Sequence, residues 1–143
     1  EDDNVLVQGV AGDVNAIGYF GYAYYAENQG KLKALPIVEK DGKPAVAPSE
    51  ATVLNGSYQP LARPIFIYVN AKSMAKPEVK KFVDFYLANA AKMAKEVKYV
   101  PLPADAYKAA SDHIAKGKKG TVFGGKNEVG ITIAELLKRE ASQ

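Results

Sequence analysis

The sequence predicts an α/β fold, and three features carry that expectation. Ile65-Phe-Ile-Tyr-Val69 is an unbroken apolar, β-rich run, the pattern of a strand buried on both faces of a sheet. After Pro77, the residues Val79, Phe82, Val83, Tyr86, Leu87, Ala90 and Met93 recur at helical spacing, with Lys80, Lys81, Asp84 and Lys92 on the other side. Proline and glycine punctuate the chain between segments of both kinds, as mixed strands and helices require.

Taken in order, Ala16 to Gly21 reads as a short buried strand. Tyr22 to Asn28 reads as a turn or one helical stretch closed by Gly30. Leu32 to Val38 is a second expected strand, ended by the turn dipeptide Asp41-Gly42. Pro44 and Pro48 keep the next stretch extended, and Ser49 is placed to N-cap a helix over 50–54 that Gly56 stops. Pro64 stands at the first residue of the third strand, where a missing N–H does least harm. Pro77 suits the first position of the long helix. A further helix is expected from Ala104 to Lys116, between Pro101 and Pro103 on one side and Gly117 on the other. Thr132-Ile-Ala-Glu135 has the form of a capping box, with Ile131 and Leu136 spaced as a hydrophobic staple, and opens the last helix. Composition shifts near Pro60 from tyrosine, glycine and turns to mostly helical sequence, which sets an expected lobe boundary between 1–60 and 61–143.

With 143 residues, 48% hydrophobic and 24% charged, the chain has the make-up of one globular domain. It lacks a run of about 18 apolar residues such as a membrane-spanning helix needs. The absence of cysteine excludes disulfides, thiol chemistry and thiolate zinc sites, and a single histidine excludes a His-rich metal site. Neither a basic n-region nor an apolar stretch follows Glu1, so any export signal is expected to lie outside this sequence. The net charge of +3 is compatible with an anionic ligand.

Several local patterns invite a chemical reading. Gly120-Thr-Val-Phe-Gly-Gly-Lys126-Asn127 matches a phosphate-binding P-loop in its glycines and lysine, but Asn127 replaces the hydroxyl residue that would hold Mg²⁺. No long helix opens at Lys126, and a glycine-lysine surface loop is the reading adopted. His113 has no cysteine or second histidine to work with and is expected on a helix surface. Tyr19, Phe20, Tyr22, Tyr24 and Tyr25 crowd five aromatics into seven residues, yet no cation is interleaved among them. They are assigned to packing rather than to stacking on bases. The lysine clusters at 76, 80 and 81 and at 116, 118 and 119 lie in no nucleic-acid-binding motif and are read as solvated faces, so no nucleic acid partner is expected. Arginine occurs twice, at 63 and 139. Arginine outperforms lysine in bidentate recognition of phosphate. Arg139 falls at a helix end, where it complements the helix dipole, so Arg63 at the lobe boundary is the one candidate to touch a ligand.

Five runs, in order, resemble one family. Val10-Ala-Gly-x-x-x-Ala16-Ile-Gly-Tyr19-Phe-Gly-Tyr-Ala23-Tyr is the first, and Pro48-Ser-Glu-Ala-Thr-Val53 the second. Gly56-x-Tyr58-x-Pro60-Leu61-x-Arg63-Pro-Ile-Phe-Ile-Tyr-Val69 follows, then Val79-x-x-Phe82-Val-x-Phe-Tyr-Leu87 and Tyr99-Val-Pro-Leu-Pro103. Together they are similar to the type II periplasmic phosphate-binding proteins, the carrier subunits of ABC-type phosphate importers, in their C-terminal part. The resemblance implies a partial type II periplasmic-binding-protein fold. Residues 1–60 would finish the second ligand-binding lobe, and residues 61–143 would return across the hinge as the C-terminal part of the first. It implies phosphate uptake outside the cytoplasm, periplasmic or anchored at the cell surface in the full protein. The implied partners are inorganic phosphate, the importer's membrane subunits, and either the N-terminal part of the same protein or a second copy of this chain. The family's phosphate ligands, an S-G-T helix start with a neighbouring arginine and a carboxylate, lie upstream of the matching runs, and no S-G-T occurs here. No ligand-binding residue is therefore carried over. No nucleophile-base pair, catalytic residue, metal site or cofactor is expected, and the chain is read as a carrier rather than an enzyme. The alternative is a stand-alone protein-interaction module derived from the same fold.

Overall fold

Helices arise here where the chain supplies its own end caps. The computed structural model describes residues 2–123, 125, 126, 128 and 130–142. Among them are α1 (Asp3–Gly12), α2 (Tyr22–Glu27), α3 (Glu50–Leu54), α4 (Pro77–Glu96), α5 (Ala104–Ala115) and α6 (Ile133–Ser142), with a 3₁₀ turn at Ser73–Ala75 before α4. None of these helices is long and apolar enough to cross a membrane.

The caps match the sequence signals closely. At α3 the Ser49 hydroxyl accepts from the Thr52 N–H at 3.1 Å, and the Ser49 N–H donates to Thr52 Oγ1 at 2.9 Å, a reciprocal box. Gly56, at φ +75°, then turns the chain away. Pro77 occupies the first turn of α4. That helix ends on Lys98, at φ +59°, with the Tyr99 N–H on the Ala94 carbonyl at 2.8 Å and the Lys98 N–H on Lys95 at 3.1 Å. This bond pair is a Schellman ending, with lysine where glycine is usual. α5 runs as expected from Ala104 and stops before Gly117. The capping box at Thr132 forms on one side. Thr132 Oγ1 accepts from the Glu135 N–H at 3.2 Å, while the Glu135 carboxylate takes Arg139 Nε at 3.2 Å instead. α1 is an element the periodicity does not announce. Its start is nonetheless marked by Asp2, whose Oδ1 accepts from the Asn4 N–H at 2.9 Å.

The three expected strands are not strands. Residues 16–21, 32–38 and 65–69 lie outside the helices, but the described residues contain no β-ladder. One isolated antiparallel bridge joins Ile37 and Val46, around the Asp41-Gly42 turn. From Leu61 to Val69 no backbone N–H or C=O is hydrogen-bonded to any described residue. The physical reason is that a strand exists only through a neighbour's ladder, and none lies alongside this run. The chain is therefore mostly helical where a sheet was expected. A ring contact to this run comes from Phe123, edge-on to Phe66 at 5.5 Å.

Helix packing proceeds in sequence: α1 meets α2, α4 meets the 3₁₀ turn and α5, and α5 meets α6. The buried apolar residues are thinly spread, one each on α1, α2, α4, α5 and α6: Val7, Ala23, Val83, Ala106 and Leu136. The accessible surface is 10340 Å². A compact monomer of this mass exposes about 7,200 Å². The molecule is thus open on its apolar side, with Ile65 70%, Tyr68 81% and Phe82 66% exposed.

Candidate functional site

The elements surround a hollow of about 2940 Å³. Its wall takes in the end of α1, the run 16–21, the stretch 53–69, the inner faces of α4 and α5, and the start of α6. Small-molecule pockets occupy roughly 300–1,000 Å³. This hollow is several times larger, and its lining is mostly aliphatic and aromatic.

Its polar corner lies where the turn 56–60 meets the start of α6. The turn 56–60 sits against that start, so that a Cβ on Gly56 would fall 3.0 Å from Thr132 Cγ2 and one on Gly130 3.5 Å from Gln59 Oε1. Gln59 Oε1 is buried without a hydrogen-bond partner, an acceptor that calls for a donor. Burial, and secondarily the nearby Tyr19, raises the Tyr58 hydroxyl above its ordinary pKa of 10.0. Arg63 lines the same hollow, exposed, with no hydrogen bond or ion pair to a described residue. Sequence reading singled out Arg63 and passed over Tyr58 and Gln59. The signal for them, a tyrosine and an amide just before Pro60, is too common to stand out.

The other arginine is committed elsewhere. Arg139 holds Glu128 at 2.7 Å and Glu135 at 3.2 Å, which raises its pKa and ties the loop before α6 to the helix. His113 is half-buried and borders the hollow, rather than standing on an open helix surface. Tyr22 and Tyr25 pack ring to ring at 6.1 Å, in line with the packing assignment, while Tyr19 remains exposed. In the lysine cluster on α4, Lys80 pairs with Asp84 at 2.7 Å. The P-loop-like run includes Gly124 and Asn127, which lie outside the described residues. Lys126 closes a turn onto Phe123, and α6 begins only at Ile133. No group of three or more metal-ligating side chains occurs among the described residues.

Chemically, the corner offers two phenols and an amide, and the wider hollow one guanidinium. A dry phosphate site needs converging N–H groups and charge-assisted donors. One such donor is present, and at the nearby start of α6 the Glu135 N–H is already taken by Thr132.

No protein-family model matches the chain. Over 140 residues it is 57% identical to Protein SphX of Synechococcus elongatus, covering 98% of this chain and 41% of that protein. Against Protein SphX of Synechocystis it is 50% identical over 143 residues, covering 99% and 42%. Phosphate-binding protein PstS of Staphylococcus aureus is 40% identical over 114 residues, covering 79% of this chain and 34% of that protein. Its homologues include phosphate-binding proteins. The crystal structure of a possible phosphate binding protein from Planctomyces limnophilus superposes with a TM-score of 0.67 at 41% identity, covering 82% of this chain and 42% of that one. The chain thus spans about two-fifths of the length of the two SphX proteins and about a third of PstS.

Proposed function

We propose that this chain is part of the phosphate-binding carrier of an ABC-type phosphate uptake system, working outside the cytoplasm with the importer's membrane subunits as partners. The observation that carries this reading is the 40% identity to a phosphate-binding protein over 114 residues, supported by the structural match at a TM-score of 0.67. In this reading residues 1–60 finish one lobe of a type II binding protein and 61–143 belong to the other, with the anion held between them. The carrier performs no chemistry of its own. Arg63, which has no hydrogen bond or ion pair to a described residue and lines the hollow, is the one candidate of this stretch to touch the anion. Most phosphate donors come from the three-fifths of the protein that this chain does not include.

Calorimetric titration tests the proposal. The chain alone should show no saturable tight phosphate site at physiological ionic strength. Weak binding should fade as salt rises, because exposed charge pairs contribute about 0–1 kcal/mol and are screened over about 10 Å at 0.1 M. A chimera that joins this chain to the unmatched part of the Synechococcus elongatus relative should bind phosphate in a saturable, salt-resistant way. A chimera that folds and takes up no phosphate would overturn the reading.

A further inference from the structure

We infer that Asn55 is a deamidation site kept latent by the fold and released when the turn 56–60 lifts off the start of α6. Asn55 is the asparagine of this chain that precedes a glycine, and it is exposed to water. Asparagine is among the thermolabile residues. Glycine after it gives the most reactive pairing, because no Cβ screens the glycine nitrogen from the carboxamide. Hydroxide takes the Gly56 amide proton, and the nitrogen attacks Asn55 Cγ, whose Oδ1 receives the negative charge. The Cγ–Nδ2 bond then breaks, Nδ2 leaves as ammonia with a proton from water, and a cyclic imide remains. Water opens the imide at Cγ to give aspartate, or at the Asn55 main-chain carbonyl to give isoaspartate. The balance is water taken up and ammonia released, with no oxidant or reductant.

The fold holds the reacting atoms apart. At ψ −2° the Gly56 nitrogen eclipses Asn55's own nitrogen, well round the Cα–C bond from the Cβ that carries the carboxamide. The Gly56 N–H donates to the Val53 carbonyl at 3.2 Å, and the Ser57 N–H donates to Asn55 Oδ1 at 2.9 Å. Behind them the Tyr58 N–H donates to the Thr52 carbonyl at 2.9 Å and closes the turn. These bonds end α3, whose five residues are too few to hold a helix unaided. The support comes from α6, since a Cβ on Gly56 would fall 3.0 Å from Thr132 Cγ2. Thr132 is itself fixed as the acceptor of the Glu135 N–H at 3.2 Å. Ring closure therefore waits on a local opening in which the turn leaves Thr132 and Asn55 rotates about ψ. The opening is not reversed once the reaction is complete. Isoaspartate carries the chain through its side-chain carbon, which lengthens the backbone between Thr52 and Tyr58. Either product adds a negative charge at the C-terminal end of α3, where a helix disfavours it.

Peptide mapping of this chain after incubation at neutral pH, in buffer and in urea, is the test, with isoaspartate read by enzymatic methylation. Asn70 is the internal comparison. Its Oδ1 accepts from the Lys72 N–H at 2.9 Å in the same kind of turn, but Ala71 follows it. In urea Asn55 should convert while Asn70 stays intact. In buffer Asn55 should convert at least about 10-fold more slowly than in urea, a modest local opening cost. Thr132→Ala removes both the contact to Gly56 and the α6 cap, and should restore most of that factor. Val83→Ala hollows the core at α4 and should not, even where its urea midpoint falls as far. Should Thr132→Ala fail to fold, Thr132→Ser keeps the hydroxyl, loses only Cγ2, and should still speed conversion. Equal rates in buffer and urea would overturn the inference, as would conversion of Asn70 alongside Asn55. A folded Thr132 variant as slow as the parent would overturn it too. Equal acceleration by Thr132→Ala and Val83→Ala at matched midpoints would make global unfolding the gate, and the latch on α6 would fall. This chemistry is independent of phosphate binding, so failure of the carrier reading leaves it in place.

Discussion

At the residue scale, neighbours on α4 make a direct comparison. Val83 is 3% exposed and Phe82 66%. Val83→Ala should cost this chain about 2 kcal/mol in urea unfolding, the transfer and cavity terms for two lost methyl groups. Phe82→Ala should stay within about 0.5 kcal/mol, since the ring is already wet. In the chimera that ranking should change, with Phe82→Ala rising to about 3–5 kcal/mol once the ring is covered. Tyr58 gives a pH signature. Its folded-state pKa lies above the unfolded 10.0, so its contribution to stability is whole below pH 10.0 and is lost as pH rises through the folded value. Urea midpoints of the parent should therefore fall more steeply in that alkaline range than those of Tyr58→Phe. A parallel decline would show that Tyr58 is not held neutral by the fold. Arg63 drew notice in the sequence because it is one of two arginines and stands between Pro60 and Pro64. Gln59 did not, because its orphaned oxygen is produced by the approach of Gly130, far away in sequence.

At the element scale, legibility follows locality. α3, α4, α5 and α6 could be read because Ser49, Pro77, Pro103, Gly117 and Thr132 act within one turn of the helix ends they set. Ser49→Ala should cost about 1 kcal/mol, whereas Ser49→Asp should retain most of the cap. α1 escaped notice because Gly9 and Gly12 dilute its pattern, although Asp2 marks its start. The strands were misread for the opposite reason. An apolar β-rich run reports what the chain will accept, and the ladder depends on segments distant in sequence. The end of α4 yields another prediction. A non-glycine residue in the left-handed region costs about 1–2 kcal/mol, and glycine returns about 0.4–1 kcal/mol of that as unfolded-state entropy. Lys98→Gly should accordingly raise stability by roughly 0.5–1 kcal/mol. A lower denaturation midpoint would mean that the Lys98 side chain contributes more than its backbone strain costs.

At the scale of the whole molecule, the described residues contribute five buried apolar side chains shared among five helices, a small core. The hollow could not be read from sequence at all, since it comes from how α4, α5 and the stretch 53–69 are disposed in space. Sedimentation of the isolated chain should show self-association that grows with concentration, and a hydrophobic dye should light up on it. A compact monomer that leaves the dye dark would mean that the apolar side closes in solution. Joining the chain to the unmatched part of the Synechococcus elongatus relative should remove both signals together.

The unbonded run from Leu61 to Val69 also decides how long the isolated chain survives. Proteases bind their substrates as extended backbone, pairing with it much as a neighbouring strand would. A segment already in that form, with Phe66 39% and Tyr68 81% exposed, needs little local unfolding before it is cut. Chymotrypsin should nick the isolated chain after Phe66 or Tyr68 well before it reaches Phe82 and Phe85, which sit within α4. In the chimera with the unmatched part of the Synechococcus elongatus relative the order should reverse, with this run among the last places cut.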